Sequence, residues 1–192
     1  MSTYRNGPLT PENLTQIAPE LRGMVTADAN GARTVRPDEF AAIVLGPGPQ
    51  NLPLRVEDFL RRARECMAYG GFYYPFITVG LGQLGLVAEA AIRAHAEKCG
   101  VTTRVTGSGK PKNMVPLIDE LRAAGHLNTT QETYWKAVAQ LRNYLFHPDE
   151  CPVYSLGAVL FHLNTLTQAL LELFPKAVFP PLSGGLDKTP SE

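Results

Sequence analysis

The chain has 192 residues, of which 44% are hydrophobic, so its length fits one domain with a real core. Its 18 Lys and Arg residues balance 18 Asp and Glu residues, which weakens an RNA-binding interpretation without excluding it. Three widely spaced cysteines without a Cys-x-x-Cys pair indicate neither a disulfide framework nor a zinc site. Without a secretory leader or an unbroken apolar span, we expect a soluble cytoplasmic protein that does not cross a membrane.

Residues 1–50 are predicted to form an irregular N-terminal extension, because they carry several prolines and glycines. One short helix is expected at about 10–23. The apolar run 40–45 fits a short strand or a packing arm, and the Gly-Pro stretch 46–49 that follows is typical of a linker. The sequence predicts no function for this region.

Helical periodicity then predicts five helices, the first of them at about 53–69. One side of this helix is apolar, and the other side carries Arg55, Arg61, Arg62 and Arg64. A solvated face is the default interpretation, because Glu57, Asp58 and Glu65 dilute the positive charge. If RNA binds, Arg61, Arg62 and Arg64 are candidates to contact its phosphates.

The second predicted helix, at about 72–98, is apolar nearly all round and should form the buried centre of a bundle. Small residues, including Gly82 and Gly85, recur along one stripe of it, which predicts the close approach of another helix. Glu89 lies in that stripe and needs a cationic partner. The candidates are Arg142, from a later helix, and Arg93, one turn further on.

The third predicted helix starts at Asn113 and ends at Gly125, and the fourth spans about 130–147 with a capping box at Thr129 and Glu132. Arg142 falls inside the apolar stripe of this fourth helix. A guanidinium keeps its proton, so it must reach water or meet an acceptor. It is therefore either an arginine that extends to the surface from the stripe edge or part of an anion site.

His147 precedes Pro148 and should lie at the C-terminal end of the fourth helix. The helix dipole there favours the imidazolium and keeps the group available for proton transfer, although a simple capping role is an equal alternative. Five residues correspond to a rotation of about 140°. Arg142 and His147 of one chain therefore do not share a face, and a two-fold pairing of these helices would bring them together.

The segment Leu-Arg-Asn-Tyr-Leu-Phe-His-Pro, residues 141–148, resembles the Arg-Asn-x-x-x-His motif of HEPN (higher eukaryotes and prokaryotes nucleotide-binding) domains. The motif lies on the fourth of five predicted helices, after a long apolar helix, and the resemblance covers residues 52–175. A leucine stripe on the last helix should be core or dimer packing. We expect an all-α, antiparallel HEPN-like bundle of about five helices at 51–176, and a disordered tail at 177–192.

The resemblance implies metal-independent RNA cleavage at a composite site across a homodimer, as in toxin and defence ribonucleases. Arg142 and His147 would be catalytic, Asn143 would orient the imidazole or the substrate, and Glu89 would support Arg142, with no metal or cofactor. A regulatory protein partner is left open. Members controlled by a minimal nucleotidyltransferase commonly have a tyrosine two residues beyond the histidine, where this chain has Asp149, which argues against that mode of control.

The alternative function is a catalytically silent helical module that binds a protein partner or a nucleotide. In that case Arg142 pairs with Glu89 as a structural lock and His147 caps its helix. A nucleotide sensor that uses Arg142 to hold a phosphate is a third interpretation of the same residues.

Overall fold

The computed structural model describes residues 25–28, 31–146 and 154–179. The helix expected at 10–23, the residues His147 and Asp149, and the tail beyond residue 179 lie outside this part. Within it the fold is an all-α bundle, as predicted, preceded by a small hairpin. The elements are β1 (Val25–Asp28), β2 (Gly31–Thr34), α1 (Pro37–Leu45), α2 (Leu54–Tyr69), α3 (Pro75–Lys98), α4 (Met114–Ala123), α5 (Thr129–Leu145) and α6 (Leu156–Leu173).

The stretch expected to be irregular contains a two-stranded antiparallel hairpin. Strands β1 and β2 pair with Val25 opposite Thr34. Gly31 begins the second strand with a φ of 108°, a backbone conformation that glycine adopts without the steric penalty of a Cβ.

Residues 37–45 form helix α1, so the strand interpretation of 40–45 is wrong. Pro37 opens the helix and two acidic residues follow in its first turn, which is the arrangement that a helix N-terminus favours. Glu39 accepts hydrogen bonds from Arg33 and from the Arg36 backbone N–H, and these bonds lower the pKa of its carboxyl group to about 2. Phe40 and Val44 are almost fully buried in the common core, so α1 is part of the bundle.

Helix α3 occupies the centre of the fold, as its all-round apolar sequence predicts. Helix α2 packs along it, with Met67 against Gly80 and Gly70 against Ile77. This matching of the end of α2 to the start of α3 makes the pair antiparallel. In each pair a large side chain of one element lies against a glycine of the other, which brings the two backbones close together.

Helix α6 runs parallel to α3. At one end the Tyr74 hydroxyl donates to the Tyr154 carbonyl at 2.9 Å, and at the other the rings of His95 and Phe174 meet edge to face with centroids 6.3 Å apart. The leucine stripe of α6 packs into the core, which is one of the two roles predicted for it; the other was packing in a dimer. Its most buried members are Leu163, Leu166, Leu170 and Leu173.

Helices α4 and α5 form an antiparallel pair beside α3. The Lys136 ammonium lies 2.7 Å from Asp119, and Arg122 lies 3.4 Å from Glu132. The capping box at the start of α5 is one residue earlier than predicted. It is formed by Asn128 and Gln131, and the Gln131 N–H donates to Asn128 Oδ1 at 2.9 Å. Trp135, 1% exposed, anchors α5 in the core.

The segment after α6 pairs with the connection between α1 and α2. The backbones of Gln50 and Val178 exchange two hydrogen bonds, of 2.8 and 3.1 Å. Helices α3 and α6 are each long and apolar enough to cross a membrane, with mean hydropathies of 1.5 and 1.2. This is weak evidence for a membrane span, since the core helix of a soluble protein meets the same description, and α3 is the core helix of this bundle.

Candidate functional site

Arg142 lies in the last turn of α5, where that helix crosses the glycines of α3. A Cβ placed on Gly85 would lie 2.8 Å from the Arg142 Cβ and 2.7 Å from its Cγ. The stem of Arg142 thus fills the space that a side chain at position 85 would need, and 36% of the Arg142 side chain stays exposed. The close approach predicted from the small-residue stripe is confirmed.

Glu89 of α3 joins two guanidinium groups. Its Oε2 lies 3.2 Å from Arg142 Nη2, and its Oε1 accepts from Arg93 Nη2 at 2.8 Å and from Arg93 Nε at 3.1 Å. Both partners considered for Glu89 are therefore present. Two formal positive charges against one negative charge leave this cluster, which we call the Arg142 cluster, with one net positive charge.

The Arg142 cluster is tied to the segment that leads into α4. Arg93 Nη2 also donates to the Lys112 carbonyl at 2.6 Å. Only 19% of the Arg93 side chain and 24% of the Glu89 side chain are exposed, so both are held in place by packing as well as by charge. Glu89 is consequently a fixed acceptor for Arg142.

Arg142 makes fewer hydrogen bonds than its guanidinium can donate. A guanidinium has five N–H donors. Nη2 faces Glu89, and Nη1 reaches Asn143 Oδ1 at 3.4 Å, which is long for a hydrogen bond. Its Nε is buried and has no hydrogen-bond partner among the described residues. The exposed part of this guanidinium therefore has donors left for a ligand.

A cavity of about 330 Å³ opens beside the Arg142 cluster. It lies between α3, α5 and the start of α4, and its polar lining comes from Glu89, Arg142, Asn143 and Asn113. Asn113 is the N-cap residue of α4, yet its side chain makes no capping hydrogen bond. The amide of Asn113 is thus not engaged with the first turn of its own helix.

His147, the predicted proton-transfer residue, lies outside the described residues. Phe146, which precedes it, ends α5. The Phe146 ring packs over Gly82 of α3, and 57% of the residue is exposed. Asn143 and Tyr144, also in the last turn of α5, are exposed. The end of the motif helix therefore presents both polar and aromatic groups to the surface.

The three arginines predicted to contact RNA are arranged differently from one another. Arg61 donates to Asp58 at 2.6 Å and to Glu65 at 2.9 Å, and Arg62 lies 2.5 Å from Asp58. Both are exposed, but acidic neighbours on α2 compensate their charge. The dilution expected from the sequence is therefore visible as ion pairs.

Arg64 does not lie on that exposed face, which corrects its assignment to RNA. Its guanidinium donates to the Val44 carbonyl at 2.7 Å and to the Gly46 carbonyl. These groups belong to the end of α1, whose last carbonyls lack helical partners. Burial lowers the pKa of Arg64. Arg64 thus fastens α1 to α2.

The sequence did not identify Asn113 as a cavity residue or the Arg93 bond to Lys112. Asn113 was interpreted only as a helix cap, and the cavity arises because the segment before α4 folds back onto α3. Among the described residues, no group of three or more His, Cys, Asp or Glu side chains is placed to hold a metal ion.

The fold and the site define an all-α helical bundle with an arginine–carboxylate cluster beside a polar cavity. Comparison of the chain with known protein families, with curated proteins and with solved structures finds no match.

Proposed function

We propose that the protein is a metal-independent endoribonuclease of the HEPN type, cytoplasmic and belonging to a toxin or defence system. Two copies would pair around a two-fold axis so that Arg142 and His147 of both chains surround one scissile RNA phosphate. The observation that carries the proposal is the incomplete coordination of Arg142, which is fixed by Glu89 but stays 36% exposed, with an Nη1 whose contact with Asn143 Oδ1 is long, at 3.4 Å. Phosphate oxygens are the acceptors that such a guanidinium binds best.

The reaction would be an internal transesterification. One His147 takes the proton of the 2′-hydroxyl, the 2′-oxygen bonds to phosphorus, and the bond from phosphorus to the 5′-oxygen breaks while a general acid protonates that oxygen. The arginines stabilise the added negative charge on the phosphorane. The products are a 2′,3′-cyclic phosphate and a 5′-hydroxyl, and no metal is needed to balance the reaction.

The surroundings of Arg142 support this role in two ways. About a third of the side chain is exposed, at 36%, and its Nη1 has only a long contact of 3.4 Å, to Asn143 Oδ1. A phosphate oxygen that approaches from solvent can therefore accept a hydrogen bond from this guanidinium. In addition, Tyr144 and Phe146 are 44% and 57% exposed at the end of α5, which gives a second copy an aromatic surface next to the motif.

Cleavage of a mixed RNA pool in EDTA tests the proposal. The wild-type protein should produce 2′,3′-cyclic phosphate ends, and His147→Ala and Arg142→Ala should each lose at least about 10²-fold in rate. His126→Ala, which alters an exposed histidine away from the cavity, is the matched control and should cleave normally. Equal cleavage by the parent and both site variants, or no cleavage by any of them, would refute the nuclease.

The second candidate is a catalytically silent helical module for a protein partner or a nucleotide. The observation in its favour is the 3.2 Å pair between Arg142 and Glu89, which can act as a structural lock between α5 and α3. In that case wild-type protein leaves RNA intact, and Arg142→Ala lowers the free energy of unfolding without changing any cleavage. Product analysis and urea unfolding of the same samples separate the two functions.

A further inference from the structure

The cavity beside the Arg142 cluster has the size and the chemistry of a subsite for one nucleotide. Its volume of about 330 Å³ lies at the lower end of the range for ligand pockets, about 300–1,000 Å³. A larger pocket would be needed for several nucleotides. The cavity is bordered by Arg142 itself, so an occupant would directly adjoin any phosphate that Arg142 holds.

The polar groups that line the cavity suit the edge of a base. Asn113 offers an amide that makes no capping bond, with one acceptor and two donors. Asn143 uses its Oδ1 toward Arg142, which leaves its amide N–H groups for a ligand. Glu89 is already bound by two arginines, so the carboxylate on this wall is neutralised and does not repel RNA.

The other walls are apolar. Val115 and Pro116, from the first turn of α4, line the cavity and are exposed, and Ala139 of α5 contributes a small buried wall. Bases of single-stranded RNA are commonly recognised between apolar or flat side chains and amide groups that read their edges. Asparagine in particular matches a base edge that has a donor beside an acceptor.

We propose that this cavity holds the base of a nucleotide adjoining the scissile phosphate, and that Asn113 reads the edge of that base. The inference rests on the proposed ribonuclease function and deepens it, because it makes cleavage base-selective at one position. Arg142 would bind the phosphate and Asn113 would select which nucleotide lies beside it.

The test measures, by NMR titration of the full chain, the binding of 2′-O-methylated RNA dinucleotides of every base combination. These probes lack the attacking hydroxyl and cannot be cleaved. At one of the two positions, the affinities for the best and the poorest base should differ by about tenfold, the worth of one or two hydrogen bonds. Asn113→Ala should reduce this ratio to less than about twofold.

Two further variants keep the result clear. Asn113→Asp retains the shape of the side chain but replaces its donors with an acceptor, and should change which base is preferred. Asn128→Ala removes the N-cap asparagine of α5, whose side chain does cap its helix and does not line the cavity. It should lower thermal stability while the base preference stays as in the wild type.

The outcomes separate this inference from the nuclease proposal. Base-dependent binding that disappears in Asn113→Ala supports the subsite even if no RNA is cleaved. Equal binding of all bases, no binding of any dinucleotide, or a preference that survives in both Asn113 variants overturns the subsite, even if the protein proves to be a ribonuclease.

Discussion

Replacing Gly85 with alanine tests how closely α5 approaches α3. The new methyl carbon would lie 2.7 Å from Arg142 Cγ, 2.8 Å from its Cβ and 3.4 Å from its Cδ. The position of Cβ is set by the backbone of α5, so this contact cannot be relieved unless α5 moves, whereas Cγ and Cδ can shift by side-chain rotation. The helix propensity of alanine contributes about 1 kcal/mol in favour of the variant. Overpacking costs about 1–3 kcal/mol, so we expect a net loss of up to about 2 kcal/mol.

The same substitution should also displace the guanidinium. Arg142 and Glu89 are 3.2 Å apart, and a shift of the stem by several tenths of an ångström weakens that contact. Because misplacement of a reacting group by about 1 Å can cost about 10²-fold in rate, RNA cleavage should fall by about tenfold or more. Stability is measured by urea unfolding, and cleavage by the initial rate in EDTA.

Gly157→Ala is the matched control. Gly157 is also helical and lies near the start of α6, and a methyl group added there would meet no other atom of the described residues within 4 Å beyond its own helix backbone and chain neighbours. The free energy of unfolding of Gly157→Ala should rise by a few tenths to about 1 kcal/mol, and this variant should cleave RNA at the normal rate. If Gly85→Ala gained as much stability as Gly157→Ala and kept its rate, the close contact between Arg142 and α3 would be disproved.

Four further variants test three features of the fold. Arg64→Met should lower the free energy of unfolding by about 1–3 kcal/mol and leave RNA affinity unchanged, while the exposed Arg61→Met should change stability by less than about 0.5 kcal/mol. Weaker RNA binding by an Arg64→Met protein of full stability would contradict the role of Arg64 in fastening α1 to α2. Tyr74→Phe removes the 2.9 Å hydrogen bond to the Tyr154 carbonyl and should lower the free energy of unfolding, measured in urea, by about 1 kcal/mol. An unchanged urea midpoint would count against that bond. Burial lowers the pKa of His95 below its usual 6.5, so the free energy of unfolding should fall as the pH drops below 6.5. The free energy of unfolding of His95→Gln should fall less between about pH 7.5 and about pH 5.5, and identical pH profiles of the two proteins would refute this.

The long helices could be predicted because their periodicity is strong. Predicted bounds of 53–69 and 72–98 compare with Leu54–Tyr69 and Pro75–Lys98 in the structure. Helix α1 was missed because a nine-residue helix has only a short apolar run, which does not distinguish it from a strand. The proline and two acids at its start were the available signal. The hairpin was missed because its two strands have only four residues each, too few for a clear alternating pattern.

Part of the candidate site could likewise be predicted from the sequence, and part of it could not. The contact of Arg142 with Glu89 could be inferred because both residues fall on helical stripes that must meet. The hydrogen bonds of Arg64 could not be inferred, because their acceptors are backbone carbonyls 18 and 20 residues away, and no side-chain pattern encodes such contacts. The cavity at Asn113 depends on how a connecting segment folds back over α3, which periodicity does not describe.

The bridge between Gln50 and Val178 ties the segment that follows α6 to the connection between α1 and α2. A short peptide could join the chain near residue 178 to the chain near residue 50, and new ends could be opened in the exposed loop at 105–110. Such a circular permutant would lack α1, whose Phe40 and Val44 are buried in the core, but it would keep the contacts among α2 to α6, because domains whose ends adjoin tolerate this rearrangement. The order of the helices along the chain would then change without altering the surroundings of Arg142.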